Sequence, residues 1–174
     1  MSSAWGPGNA TEEELLRLMD TYGGMLFSLC RMMLRDHHRA QDAVQETFIK
    51  AYKHIEYLPQ LKNEKAWLIR IAVNICRDTM RTAWFRHVIR SVDIAELPEI
   101  AAPQPADTYD SPLLEMVQSL SPKEREVLLL YYWQSMTPEE ISSTLRINRA
   151  TVYRRLEKAR SNLKITLEGG LPHD

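Results

Sequence analysis

The stretch "TPEEISSTLRINRATVYRRLEKARSNLK", Thr137 to Lys164, decides the fold class. Thr137, Pro138 and Glu140 combine an N-cap, a proline at the first helical position and a glutamate at the third. Ile141 and Leu145 then face inward along a short helix. A tight turn near Arg146 and Ile147 follows, and Asn148 caps a longer helix. In that helix Val152, Leu156, Ala159 and Leu163 fall at i, i+4, i+7 and i+11, leaving Arg149, Tyr153, Arg154, Glu157 and Arg160 toward solvent or a partner. This is helix-turn-helix spacing, whose second helix can enter a DNA major groove.

Seven bases lie between Arg146 and Lys164, yet the whole chain carries a net charge of −1. Division of the chain resolves the contrast. Residues 1–59 sum to −2, residues 60–90 to +5, residues 91–120 to −6 and residues 121–174 to +2. Segregated blocks of this kind suggest basic surfaces for a polyanion, joined by an acidic segment. The plainer reading of the last helix is a solvated face with charges suited to a helix C-terminus.

Upstream, Ser121-Pro122-Lys123-Glu124 repeats the helix-start pattern, after a short helix marked by Leu113, Leu114 and Val117. Before it, "SVDIAELPEIAAPQPADTYDS" (Ser91 to Ser111) holds three prolines and five acids and reads as an extended linker. Three helical stripes precede the linker. Leu15, Leu18, Tyr22, Met25, Leu29 and Met32 predict a helix from about 12 to 35, opened by a capping box at Thr11 and Glu14. Val44, Phe48, Ala51 and Ile55 predict a second, ended by Pro59. Leu68, Ala72, Ile75 and Thr79, flanked by Ile69, Val73, Cys76 and Met80, predict a third. The expected architecture is all-α: one small helical domain over residues 1–90, an acidic linker over 91–112 and a second domain over 113–174.

With 44% hydrophobic and 26% charged residues the chain has the composition of a folded soluble protein. No apolar run approaches the ~18 residues of a membrane span, and the first residues lack the pattern of a signal peptide. A cytoplasmic location, without membrane insertion, is expected. Cys30 and Cys76 lie in apolar helical patterns and read as buried reduced thiols. In "DHHR" (Asp36 to Arg39) the adjacent histidines point about 100° apart on a helix, so a solvated turn fits better than a metal site. No Gly-rich phosphate loop and no nucleophile beside a base is present, so no cofactor, metal or enzymatic activity is expected.

Both halves together resemble a bacterial RNA polymerase sigma factor of the extracytoplasmic-function group of the sigma-70 family. "AQDAVQETFIKAY" (Ala40 to Tyr52) is similar to the family's conserved region-two helix and "AWLIRIAVNICRDTMR" (Ala66 to Arg81) to its promoter-melting helix. "LSPKEREVLLLYYWQSMTPEEISSTLRINRATVYRRLEKARSNL" is similar to its region four. The resemblance covers nearly all of residues 12–165. It implies that Asp42, Gln45 and Glu46 bind core RNA polymerase at the β′ coiled coil, the β subunit being a further contact. These three cluster at i, i+3 and i+4, although, without the other motifs, a solvated face with a Glu46–Lys50 pair would be the plainer reading.

The resemblance places the minus-ten promoter element on the third helix and its flanks. Lys62, Lys65, Arg70, Arg77 and Arg81, with Arg86 and Arg90, suit the phosphates of a separated strand. Asn74 matches the family position associated with a base turned out of the stack. The loop "PQLKNEK" (Pro59 to Lys65) sits where the family forms the pocket for that base. Trp67 reads as core or as a stacking surface, and Trp84 as a DNA or polymerase contact.

The resemblance likewise implies Arg149, Thr151, Tyr153, Arg154 and Lys158 as the minus-thirty-five contacts. Here the sequence departs from the family pattern: Tyr153-Arg154-Arg155 follows Thr151-Val152 where a basic residue, serine and arginine are common. Arg154 can make two hydrogen bonds to a guanine edge where serine makes one. Arg155 faces either the DNA backbone or a neighbouring acid. The resemblance further implies an anti-sigma partner, and an acidic linker that threads the polymerase channels. Two rivals are a stand-alone helix-turn-helix regulator, usually dimeric on paired half-sites, and a helical adaptor that binds only proteins.

Overall fold

The structure, a computed structural model, describes residues 7–92 and 112–169 of the 174-residue chain. Those residues form helices and no strand. The order is α1 (Pro7–Leu34), α2 (His37–Lys53), a 3-10 turn (Ile55–Gln60), α3 (Glu64–Val92), α4 (Pro112–Ser119), α5 (Pro122–Leu128), a π-helical turn (Leu129–Trp133), α6 (Pro138–Leu145) and α7 (Arg149–Gly169). The chain divides into two compact units, the first built on α1, α2 and α3 up to Thr79, the second holding α4, α5 and α7. The acidic stretch between residues 93 and 111 lies outside the described residues, as do the side chains of residues 87–92.

In the first unit the expected stripe of α3 is buried at Leu68, Ala72 and Ile75, whereas on α1 only Leu18, Leu29 and Met32 of the expected stripe are buried, Leu15, Tyr22 and Met25 being half-buried like Val44 of α2. Leu18, Leu26, Leu29, Cys30 and Met33 of α1 are buried, as are Ala40, Ala43, Phe48 and Ala51 of α2 and Leu68, Ile69, Ala72, Val73, Ile75 and Cys76 of α3. Each large apolar side chain so buried contributes about 1.5–3 kcal/mol against the entropy of ordering the chain. Asp36 caps α2, its Oδ1 accepting the Arg39 N–H at 2.8 Å. That cap makes "DHHR" a helix start, with His37 edge-on to Phe27 at 5.2 Å. No group of His, Cys, Asp and Glu that could hold a metal ion occurs among the described residues. Cys30 and Cys76 are buried free thiols, as expected. Their hydrogen bond, reinforced by burial, pushes the Cys76 thiol well above its ordinary range.

Three boundaries differ from the sequence reading. Helix α1 starts at Pro7, so Thr11 lies inside it and no capping box forms there. Pro7 stands at the first helical position, where its missing N–H costs nothing, and the Glu14 carboxylate is taken by Arg17 at 2.6 Å. Helix α2 stops at Lys53, and Pro59 sits inside the 3-10 turn, where its fixed φ is tolerated. Helix α3 continues through Ser91 and Val92, two residues into the expected linker.

In the second unit both expected helix starts are present. Thr137 and Glu140 form a complete capping box, with Glu140 N–H to Thr137 Oγ1 at 3.2 Å and Thr137 N–H to Glu140 Oε2 at 2.8 Å. The Ser121 start is half of one. Its hydroxyl accepts the Glu124 N–H at 3.4 Å, but the Glu124 carboxylate turns to α7 instead of reaching back. The π-helical turn was not expected. It closes with Gln134 N–H to Leu129 O at 3.1 Å, and Ser135 then adopts a φ of 53°. Arg146, in the turn before α7, has a φ of 55°, a left-handed conformation usually given to glycine.

Candidate nucleic-acid and partner interfaces

Three helices carry the candidate surfaces. On α2 the buried positions Ala40, Ala43, Thr47 and Ala51 turn Asp42, Gln45 and Glu46 outward, and all three are exposed. Glu46 pairs with Lys50 at 3.1 Å on an open surface. Beside Gln45 an apolar groove of about 560 Å³ opens between α1 and α2, lined by Leu15, Met19, Gly23, Val44, Phe48, Ile49, Tyr52 and Lys53. Met19, Ile49 and Tyr52 are large apolar side chains left 44%, 57% and 42% exposed. A partner meeting this face would find polar anchors next to a surface that gains from leaving water. The signal in the sequence was apolar residues outside the core stripes, which the stripe reading passed over.

On α3, Arg70, Asn74, Arg77 and Arg81 recur at spacings of four, three and four and so share one face. Trp67 precedes this stripe by three residues and Trp84 follows it by three. The core residues of α3 lie opposite. Trp67 is half-buried, which suits packing and contact at once, whereas Trp84 is 60% exposed. Arg70, Arg81 and Arg86 are exposed, and Asn74 and Arg77 half-buried. A basic stripe ended by indole rings can meet phosphates along its length and stack bases at its ends. Lys62 is exposed and Lys65 half-buried, flanking Glu64 at the start of α3.

Glu64 is the centre of a contact the sequence reading missed. Arg17 donates to both its carboxylate oxygens, Nη1 to Oε1 at 3.0 Å and Nη2 to Oε2 at 2.7 Å, and the Tyr22 hydroxyl adds a third bond at 2.8 Å. Arg17 holds the Glu64 carboxyl below its ordinary range despite partial burial. In turn the Glu64 hydrogen bond raises both the Arg17 guanidinium and the Tyr22 phenol. The partners stand 47 and 42 residues apart, beyond any local pattern.

On α7 the Asn148 side chain caps the helix through the Thr151 N–H at 2.7 Å. Val152, Leu156 and Ala159 are buried and Leu163 half-buried, which leaves Arg149, Tyr153, Arg154, Glu157, Lys158 and Arg160 exposed and Thr151 half-buried. The candidate residues differ in what they touch. Arg149 donates to Glu139 of α6 at 2.7 Å, a bond that raises the guanidinium and lowers the carboxyl. The Lys158 ammonium lies 3.5 Å from Glu124 while its side chain stays 69% exposed. Arg160 lies over the rings of Tyr131 and Tyr132 and donates from Nε to the Tyr132 hydroxyl at 2.7 Å.

Arg155 takes the second of its two readings. Its guanidinium meets Glu126 of α5 at 3.4 Å, with side chains only 16% and 3% exposed. Asn162 donates to Glu124 at 3.0 Å, and Arg125 donates to the carbonyls of Gln118 and Leu120. Three consecutive charged residues of α5 therefore lie buried and fasten α7 on one side and the end of α4 on the other. Such residues fix the attitude of the helix that carries Tyr153 and Arg154.

Comparison with known proteins accords with this arrangement. Residues 18–86 match the family model described as sigma-70 region 2, and residues 111–163 match sigma-70, region 4. The chain is 31% identical over 163 residues to the ECF RNA polymerase sigma factor SigL of Mycobacterium tuberculosis, covering 91% of this chain and 92% of the relative. It is 32% identical over 141 residues to the ECF sigma factor SigM of Bacillus subtilis, covering 80% and 86%. Among solved structures, the sigma factor RpoE from Bartonella quintana, in complex with the anti-sigma factor NepR, superposes with a TM-score of 0.66 at 25% identity, over 92% of this chain and 98% of that one. CnrH, in complex with the cytosolic domain of CnrY, shares the fold with a TM-score of 0.64 at 22% identity, over 94% and 96%. With region 2 on the helices that carry the exposed α2 face and the basic α3 stripe, and region 4 on the helix-turn-helix, the chain belongs to the sigma-70 family, among the ECF RNA polymerase sigma factors.

Proposed function

We propose that this sigma factor binds core RNA polymerase through α2, opens the minus-ten element with α3 and docks α7 at the minus-thirty-five element. The observation that carries the reading is the stripe Trp67, Arg70, Asn74, Arg77, Arg81, Trp84 on one helix of a chain that also holds a helix-turn-helix. A duplex reader needs only the second; strand separation calls for the first. Asp42, Gln45 and Glu46 supply the polymerase contact, with the β′ coiled coil as their partner. Arg149, Thr151, Tyr153, Arg154 and Lys158 supply the duplex contact. The polymerase performs the chemistry, and this chain provides address and opening without an active site of its own. Control by an anti-sigma protein is supported by the similar chain of known structure, which is bound to one. No helix among the described residues is long and apolar enough to cross a membrane.

The test is association of the full chain with bacterial core RNA polymerase, by gel filtration at moderate salt. A stoichiometric complex displaced by another sigma factor is expected. Absence of a complex, with tight duplex binding by a dimer of the free protein, would make the chain a stand-alone regulator instead.

A further inference from the structure

Glu64 presents a conflict that the assignment of α3 to the separated strand does not resolve. It stands at the first position of α3, between Lys62 and Lys65, where a carboxylate repels the polyanion those lysines are to meet. Yet Glu64 is not a loose surface acid. Three hydrogen bonds of 2.7–3.0 Å from Arg17 and Tyr22 fix both of its oxygens. The Arg17 guanidinium is further braced by Glu14, at 2.6 and 3.1 Å. With side chains 43% and 30% exposed, the Arg17–Glu64 pair adds little to stability. What a bidentate pair supplies at such a site is orientation.

The segment it orients is short and tied at both ends. Leu58 is buried, and the Leu61 N–H returns to its carbonyl at 3.1 Å. Asn63 caps α3, with Oδ1 accepting the Ala66 N–H at 3.0 Å and its carbonyl accepting the Trp67 N–H at 3.2 Å. Lys62 therefore has fixed backbone on either side.

We propose that Arg17 and Tyr22 of α1 are positioning residues for strand opening: by gripping the Glu64 carboxylate they hold the first turn of α3, and with it Lys62 and Lys65, against the separated strand. The proposal rests on the assignment of α3 to the minus-ten element. It gives Glu64 a role opposite to that of its charge.

That opposition supplies the test. Wild-type holoenzyme is used to select promoter duplexes from a random-sequence library, and opening is followed by permanganate reactivity of unpaired thymines, with closed-complex docking measured separately. Glu64→Gln removes a negative charge beside DNA, so electrostatics alone predicts equal or faster opening. Positioning predicts opening slowed about tenfold, as for one lost charge-assisted hydrogen bond, with docking unchanged. Arg17→Lys keeps the charge and loses the two-pronged geometry, and the same slowing is expected. Opening by Glu64→Gln at the wild-type rate or faster overturns the proposal, as does an equal loss of docking and opening together with a lowered Tm. If either variant melts near the assay temperature, Tyr22→Phe, which removes a single hydrogen bond, carries the test. About threefold slower opening is then expected, and an unchanged rate overturns the proposal. A wild-type holoenzyme that opens no selected duplex refutes the minus-ten assignment itself, a result distinct from wild-type opening with unaffected variants.

Discussion

Two acid–base pairs, one from each unit, lie in opposite settings. Around α3, Arg17 and Glu64 remain substantially open to solvent at 43% and 30%. Under α7, Glu126 is 3% exposed and Arg155 16%. An open pair can be exchanged for water at small cost, whereas a buried pair that loses one partner leaves a charge stranded. The first kind suits orientation on the surface proposed to meet the separated strand. The second kind builds a recognition helix into its domain, so that groove-facing residues arrive with fixed spacing. The same chemistry thus suits adjustment at one pair and rigidity at the other.

The sharpest way to break the contrast is Arg155→Met. It preserves much of the stem and removes the guanidinium that faces the Glu126 carboxylate. Region 4 is expected to lose about 3 kcal/mol, the low end for a broken buried pair because Arg155 retains some exposure. Denaturant unfolding of the full chain should show this loss. Arg155→Met with Glu126→Gln should recover part of it, since a neutral amide is cheaper to bury than a carboxylate that has lost its Arg155 contact. A loss below about 0.5 kcal/mol would place this pair with the surface kind.

The α2 face comes next in size. Glu46 pairs with Lys50, four residues on, and both are exposed, so Glu46→Lys should leave the melting curve within a degree or so. If Glu46 meets a cation on core polymerase, reversal of its charge should weaken association by about tenfold or more, measured by competition against another sigma factor. An unchanged affinity would move the contact toward the groove beside Gln45, where Met19, Ile49 and Tyr52 offer apolar surface.

Much of this organisation was legible because it is written within single turns of helix. Thr137 and Glu140, or Asn148 and Thr151, are three residues apart, and the Val152, Leu156, Ala159 stripe repeats at the helical period. The same local rules misled at Thr11 and Glu14, where Arg17 competes for the carboxylate and Pro7 starts the helix earlier. What could not be read is the long-range pairing. Arg17 meets Glu64 across 47 residues, and Arg155 meets Glu126 across 29. In each instance several acids were available, and only the packing of apolar stripes decides which one is near. The π-helical turn was hidden for a related reason: Leu129 to Trp133 has the composition of ordinary helix, and its wider ring shows only in the bond from Gln134 to Leu129.

A pH series sharpens the surface side of the comparison. Arg17 depresses the Glu64 pKa in the folded chain below its ordinary 4.5. The unfolded chain therefore binds the proton first, and the pair's contribution is complete above about pH 5 and lost as pH falls through the folded value. Wild type should exceed Glu64→Gln in Tm by no more than about 4 °C at neutral pH, the exposure of the pair limiting the difference. The gap should narrow as pH falls below 4.5 and close once Glu64 is protonated in the folded chain as well. A gap that widened on acidification would mean that Glu64 is held for some reason other than its charge.

The smallest expected effect belongs to Arg149 and Glu139, both exposed and joined at 2.7 Å between α6 and the start of α7. With side chains 63% and 57% exposed, the pair should not register in the melting curve. Arg149 holds the Glu139 carboxyl below its usual range, so the pair is intact at every pH suited to DNA binding. A phosphate at the minus-thirty-five element must then share or displace Glu139 to engage Arg149. Glu139→Gln should tighten binding of a promoter duplex by about two- to threefold, most at low salt, where an acid beside DNA is least screened. Arg149→Ala should weaken it and lower the slope of log affinity against log salt by about one, as for a lost phosphate contact. The decisive comparison is Glu139→Gln in the Arg149→Ala background: if Glu139 acts by occupying Arg149, its removal there should gain less than in wild type. An equal gain in both backgrounds would show that Glu139 acts only as a nearby negative charge, and that Arg149 is available to DNA from the outset.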